Sequence, residues 1–264
     1  MNASAGDNRS QYGDSRKLAA RARLNARYTI AETGWFPWVA DRLPIRPGDD
    51  VLDIGCGPAW FWASVASGLP DGIRLTLADL SPGMVEEAVA RCKALPLARV
   101  EGRPADAAAL PFGDGCFDGV VAMHMLYHLP DPATAIAEFY RVLRPGGFLA
   151  VTTNGEGNLR SMHELATTVG GSPVDPGAAA FGFRAAKSLL AAQFGSVDLI
   201  PYPARMCITD PEDLFLALTS YPPGETAGPD QKAALRDAIA RAFSDGGGRL
   251  DVARETGLFL ATRR

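Results

Sequence analysis

Three acids and a glycine pair have the types and spacing to do chemistry. Asp53, Gly55 and Gly57 lie in "VLDIGCGP", Asp79 ends "LTLAD", and Asp106 sits in "GRPADAAALPF". Gly55 and Gly57 follow an apolar strand pattern and precede a helical one. The turn between them lets a ligand touch bare backbone, and the following helix start offers free N–H groups. An acid at the end of the second strand can accept both hydroxyls of a ribose, a general way to hold an adenosine. These residues point to a nucleotide-like cofactor but leave its identity open. A dinucleotide site calls for G-x-G-x-x-G, and here Pro58 and Ala59 occupy the region of the third glycine. Read as structure alone, the three acids would serve as N-caps of the helices that follow.

Proton-transfer chemistry has few candidates. His124, His128 and His163 are the three histidines of the 264-residue chain. His124 and His128 are four apart, but "HMLYH" lacks the Glu of H-E-x-x-H and falls where a strand gives way to a loop, so no metal is expected. The cysteines at 56, 92, 116 and 207 stand singly, which indicates neither a disulfide framework nor zinc, and fits a reduced, cytoplasmic setting. A formal net charge of -4 gives no general attraction to phosphate backbones. The series Arg16, Lys17, Arg21, Arg23 and Arg27 reads as a solvated helix face, so no nucleic-acid partner is expected. No segment is long and apolar enough to suggest membrane insertion.

The elements that must position these residues alternate. Residues 15–43 read as helical, closed by "LPIRPGDD". Strands are expected at 50–54, 73–79, 98–103, 117–123 and 147–153, with helices at 59–68, 82–94 and 132–143 between them. Residues 184–194 read as a further helix, and 196–203 and 256–263 as two more strands. The fold class is α/β: a seven-stranded, mostly parallel sheet with helices on both faces, together with N-terminal helices and a helical cap. The expected division is an N-terminal helical lid segment at 1–44, a core at 45–204 and 255–264, and a helical cap insertion at 205–254, longer than an ordinary connection.

"VLDIGCGP", "LADLSPGMVEEA", "GRPADAAALPFGDGCFDGVVAMHMLYHLPDP" and "EFYRVLRPGG" occur in an order and spacing that resembles the class I S-adenosylmethionine-dependent methyltransferases of the small-molecule branch, over about residues 45–154. The resemblance implies a Rossmann-like fold and S-adenosylmethionine as cofactor. It implies that Asp53, Gly55 and Gly57, with Cys56 between them, contact the amino acid half, and that Asp79 holds the ribose hydroxyls. Leu80 and Met84 would cover the adenine, Asp106 would accept its amino group with Ala107 donating beside it, and Met123 and His124 would line the site. Tyr12 and Arg16 lie where related enzymes fold a segment over the cofactor. Several O-methylating relatives carry a His-His pair before "L/M-P-D", the first being their presumed base. Here Tyr127 takes that position, so the base is not carried over. Tyr127 could orient an acceptor or act as a weak base, His128 reads as structural, and His163 follows the fifth strand, where substrate-facing residues sit in this fold.

Trp35, Phe36, Trp38, Phe181, Phe183 and Tyr202 could roof a pocket for an aromatic or hydrophobic small molecule. The implied reaction is methyl transfer to a small organic acceptor by direct displacement, by a monomer or homodimer. Open alternatives are a cofactor-binding protein without transfer, an enzyme using the cofactor for another reaction, a tRNA or protein methyltransferase and, more distantly, a dehydrogenase.

Overall fold

The computed structural model describes residues 24–264. Its centre is a seven-stranded sheet. In chain order the first elements are β1 (Thr29–Ile30), α1 (Trp35–Ala40), β2 (Asp50–Ile54), α2 (Trp60–Val65), β3 (Arg74–Asp79), α3 (Pro82–Cys92), β4 (Arg99–Pro104), β5 (Phe117–Met123), α4 (Pro132–Val142) and β6 (Leu143–Asn154). They are followed by α5 (Arg160–Ala166), α6 (Pro176–Phe181), α7 (Phe183–Phe194), β7 (Val197–Pro201), β8 (Arg205–Ile208), α8 (Pro211–Leu218), α9 (Pro229–Asp245), β9 (Leu250–Ala253) and β10 (Thr256–Thr262). The main sheet runs β4-β3-β2-β5-β6-β10-β7. Its first five strands are parallel, and β10 enters antiparallel to both β6 and β7.

The parallel strands are apolar on both faces because helices cover both. On one face Leu75, Leu77 and Val121 meet Phe61, Trp62 and Ala88. On the other, Leu52, Val120 and Phe259 meet Ile136, Phe139, Leu190 and Phe194. Helix starts follow local sequence signals. Ser81 caps α3, accepting the Met84 N–H, and Asp131 caps α4, accepting the Ala133 N–H, each just before a proline at the first helical position.

Two sequence expectations change. Within the described part of 15–43, the helical reading is broken: residues 24–28 are helical, then β1 and Gly34 intervene before α1. The β-branched pair Thr29 and Ile30 instead joins a small antiparallel sheet of order β1-β8-β9. The 205–254 segment is therefore not wholly helical. In β8, Met206 and Ile208 are buried, and in β9 Val252 is, a period of two that four-residue strands display too briefly to be distinctive. These strands, α8 and α9 pack with Leu24, Tyr28 and α5's Met162 and Ala166 in a separate apolar cluster. Among the described residues no helix is long and apolar enough to cross a membrane.

Candidate active site

The chemistry-bearing residues gather at the carboxyl edge of β2, β3, β5 and β6. The Cys56 N–H donates to the Ala78 carbonyl at 3.0 Å, tying the glycine loop to β3. Gly55 and Gly57 have φ of 69° and 50°, and Ala59 follows at 54°, so three left-handed residues reverse the chain before α2. The two glycines answer to different neighbours. A Cβ on Gly55 would fall 2.6 Å from the Met125 Cβ, so that bareness is used by the protein's own packing. A Cβ on Gly57 would meet nothing within 4 Å, which leaves an open cradle against the backbone.

Asp79 faces that cradle. Its Oδ2 accepts the Gly57 N–H at 3.0 Å and its Oδ1 the Ser81 N–H at 2.9 Å. Each carboxylate oxygen retains a further acceptor position, which suits a vicinal diol. Leu80 beside it is 65% exposed, a large apolar side chain turned to solvent at the same edge. Asp106 is exposed and accepts the Ala108 N–H at 2.9 Å, while Ala107 is buried. Met84 is buried beneath α3, and Met123 is half-buried at the end of β5. An open glycine cradle, a positioned carboxylate and an exposed apolar face fit S-adenosylmethionine.

Asp53 has a partner inside the protein. It is buried and accepts the Trp62 indole N–H at 2.7 Å. The aromatic run after the loop thus serves the acid two residues before it: Trp62 satisfies Asp53, and Phe61 packs edge-on against Phe36 at 5.9 Å. Trp60 is half-buried. The helix expected at 59–68 is the short α2 followed by a 3₁₀ turn at Ala66–Gly68, so its N-terminus offers little dipole to a ligand. Burial drives the Cys56 thiol strongly upward, keeping it protonated beside the loop. Tyr12 and Arg16 lie outside the described residues.

Directly after β5, His124 has φ of 52°. Its N–H donates to the Thr152 carbonyl at 3.0 Å. A left-handed non-glycine residue costs on the order of 1–3 kcal/mol and is held only by its surroundings. The imidazole lies 5.6 Å from the Trp35 ring and 6.4 Å from that of Tyr127, which packs edge-on against His128 at 4.5 Å. Burial pushes the His124 imidazole down to about 4, helped by the charges of Arg254 and His128 and opposed by Asp175. His163, on α5, is lowered by burial and likewise feels Asp175. Sequence reasoning missed Asp175, which caps α6 and accepts from the side-chain amides of Asn154 at 2.8 Å and Asn158 at 3.1 Å. Asp175-Pro176 carried the same cap-and-proline signal as α3 and α4. The expected aromatic roof is partly assembled: Trp35 stacks on Trp38 at 5.6 Å and meets Tyr202 edge-on at 5.1 Å, and the Tyr202 hydroxyl donates to the Thr33 carbonyl. Phe181 instead lies in the core beneath the sheet, and Phe183 packs on Phe259 at 5.8 Å.

Two buried groups set opposite pH dependences. His124, neutral in the folded protein down to about 4, binds a proton near 6.5 once unfolded, so between these values stability rises with pH. Burial raises Asp53 to about 7, with the Asp79 charge adding to the rise, so the folded protein retains a proton that the unfolded chain releases near 3.8. There stability falls as pH rises through the same window. Between about pH 5 and 6.5 each contributes about 1.5 kcal/mol, and they nearly cancel. Asp53→Asn is expected to remove the opposing fall, so that urea unfolding free energy climbs across that interval by about 1.5 kcal/mol more than in the wild type, where His163, also lowered by burial, adds to the rise from His124. A flat profile in the variant contradicts the assignment.

A methyltransferase domain family model matches residues 52–151. Malonyl-[acyl-carrier protein] O-methyltransferase of Herminiimonas arsenicoxydans is 34% identical over 212 residues, covering 78% of this chain and 76% of the relative. The 27-O-demethylrifamycin SV methyltransferase of Amycolatopsis mediterranei is 43% identical over 117 residues, covering 43% of this chain and 41% of the relative. A solved structure of Haemonchus contortus phosphoethanolamine N-methyltransferase 2 in complex with S-adenosyl-L-methionine shares the fold, with a TM-score of 0.58 at 19% identity over 97% of this chain and 58% of that one. The first of these relatives is matched along most of its length, whereas the chain spans only 32–47% of seven other curated relatives. By its sheet order, its glycine loop and its likeness to a relative matched along 76% of its length, the chain belongs to the class I S-adenosylmethionine-dependent methyltransferases.

Proposed function

We propose that the protein transfers the methyl group of S-adenosylmethionine to a small organic acceptor with an aromatic or hydrophobic body, releasing S-adenosylhomocysteine. The observation that carries this reading is the open cradle at Gly57 facing the Asp79 carboxylate, with His124 and Tyr127 just beyond the carboxyl end of β5. Bound there, the cofactor supplies an electrophilic methyl on a sulfonium. The chain's own residues supply alignment, which accounts for most of the rate gain in an in-line displacement. Asp79 would hold the ribose, Leu80 and Met84 the adenine side, Asp106 and Ala107 its amino edge, and Gly55, Cys56 and Gly57 the amino acid half.

His124 stays unprotonated at neutral pH and, lowered to about 4, is a weak base, so it serves a hydroxyl acceptor as a hydrogen-bond acceptor more than as a proton store; Tyr127 orients the acceptor beside it. The insertion at 205–254 acts as a lid with residues 24–30, since they share one apolar cluster. The relatives named as O-methyltransferases favour oxygen as the methylated atom. Mixing the protein with S-adenosylmethionine and a low-mass extract of its host is expected to release S-adenosylhomocysteine only when both are present. Stabilisation by S-adenosylhomocysteine, without such release, is the outcome of a binding protein without transfer. Stabilisation by NAD instead would favour a dehydrogenase.

A further inference from the structure

Arg254 stands between β9 and β10, with its backbone pinned on both sides. The Leu159 N–H donates to the Ala253 carbonyl at 2.9 Å, the Gly155 N–H donates to the Glu255 carbonyl at 2.7 Å, and Thr256 pairs with Asn154 at the carboxyl end of β6. The side chain is thereby held at the carboxyl edge of the sheet. Its Nη1 donates to Asn25 Oδ1 and to Thr29 Oγ1. Its Nε is buried and has no hydrogen-bond acceptor.

Among the described residues no acid forms an ion pair with Arg254. Several partly buried arginines are matched by acids, Arg141 by Glu138 and Asp114, Arg144 by Asp118 and Asp50, Arg91 by Glu87, while Arg42 and Arg263 donate to backbone carbonyls. Arg254 differs from both groups in having a buried Nε with no acceptor. A desolvated guanidinium without a counter-charge is costly, and the cost is removed by a ligand that brings one. The Tyr202 N–H donates to the Thr256 carbonyl at 2.9 Å, two residues after Arg254, and the Tyr202 ring meets Trp35, which in turn lies 5.6 Å from the His124 ring. The arginine's segment therefore adjoins the aromatic side chains at the end of β5, and the Arg254 charge reaches both Tyr202 and His124.

We propose that Arg254 is the recognition cation for the methyl acceptor, and that the acceptor carries an oxyanion, a carboxylate or a phosphate, received on the Nε and Nη2 edge of the guanidinium. This assignment rests on the methyltransferase reading. That edge presents two parallel donors, the fork that matches either oxyanion. Sheet order separates Arg254 from the cofactor. Gly57 and Asp79 follow β2 and β3, on one side of β5, whereas Arg254 lies beside β6 and β10 on the other. An acceptor lying across the end of β5 would set its apolar body against Trp35 and its anionic end on Arg254.

The test titrates the full chain, saturated with S-adenosylhomocysteine, with benzoate, phenyl phosphate and neutral benzamide, read by tryptophan fluorescence. At least one anion is expected to bind about tenfold or more tightly than benzamide, and the better anion identifies the source. Arg254→Gln is expected to erase that preference while S-adenosylhomocysteine affinity stays within about twofold, and Arg254→Lys to retain part of it. Equal binding of benzamide and both anions overturns the proposal, as does binding of none of the three, a preference that survives in Arg254→Gln, or a parallel loss of cofactor affinity. If Arg254→Gln fails to fold, the wild-type comparison and Arg254→Lys decide. Anion preference without any methyl transfer would sink the transferase reading and leave the anion site standing.

Discussion

Alanine at Gly55 is expected to lower the unfolding free energy by about 2–4 kcal/mol, whereas alanine at Gly57 costs the fold only about 1 kcal/mol and instead weakens S-adenosylhomocysteine by tenfold or more. Both residues have positive φ, so a side chain carries backbone strain at either place. Only at Gly55 does the new methyl also collide, with the Met125 Cβ and Cγ at 2.6 and 2.8 Å, and Met125 is a branch of the backbone turn that follows β5 rather than the tip of a free side chain. At Gly57 the methyl enters open space that a bound cofactor would use. Urea unfolding and calorimetric titration of the two variants separate these effects. Similar stability losses with unchanged cofactor affinity in both would remove the cradle from the site.

Asp79→Ala has the next largest expected effect, a loss of about 1.5–3 kcal/mol in S-adenosylhomocysteine binding, roughly 10- to 100-fold in the dissociation constant. The carboxylate does two things at once. It accepts the Gly57 and Ser81 N–H groups, which shapes the loop, and it offers its remaining acceptor positions to the ribose diol. Asp79→Asn separates them, because an amide keeps one acceptor oxygen for the loop but loses the charge. Asparagine keeps one of the two loop bonds and is therefore expected to cost less stability than alanine while still losing cofactor affinity. Unchanged affinity in both variants would deny Asp79 the ribose.

Much of this arrangement was legible in the residue order. Apolar runs of five to seven residues alternate with helical patterns, and the helices expected at 82–94 and 132–143 form as α3 and α4, started by the Ser81 and Asp131 caps. These signals are local, so a linear reading recovers them. What escaped it depends on contacts between distant segments. The Asp53 to Trp62 bond closes across the glycine turn and joins two buried side chains. Met125 filling the space at Gly55 joins two loops more than sixty residues apart in the chain, and Arg254 gains its meaning only when β10 is inserted between β6 and β7. β8 and β9 were read as part of a helical cap because a four-residue strand offers two alternations at most, too few to outweigh the strong helical patterns of α8 and α9.

The reaction itself is tested most directly by following the methyl group. The purified protein is incubated with methyl-labelled S-adenosylmethionine and separate small-molecule, RNA and protein fractions of its host. The proposed function predicts label in a small-molecule product and in neither macromolecular fraction, with the signal lost in Asp79→Ala. Label in RNA or protein, or in no fraction while the protein still binds S-adenosylhomocysteine, would contradict it.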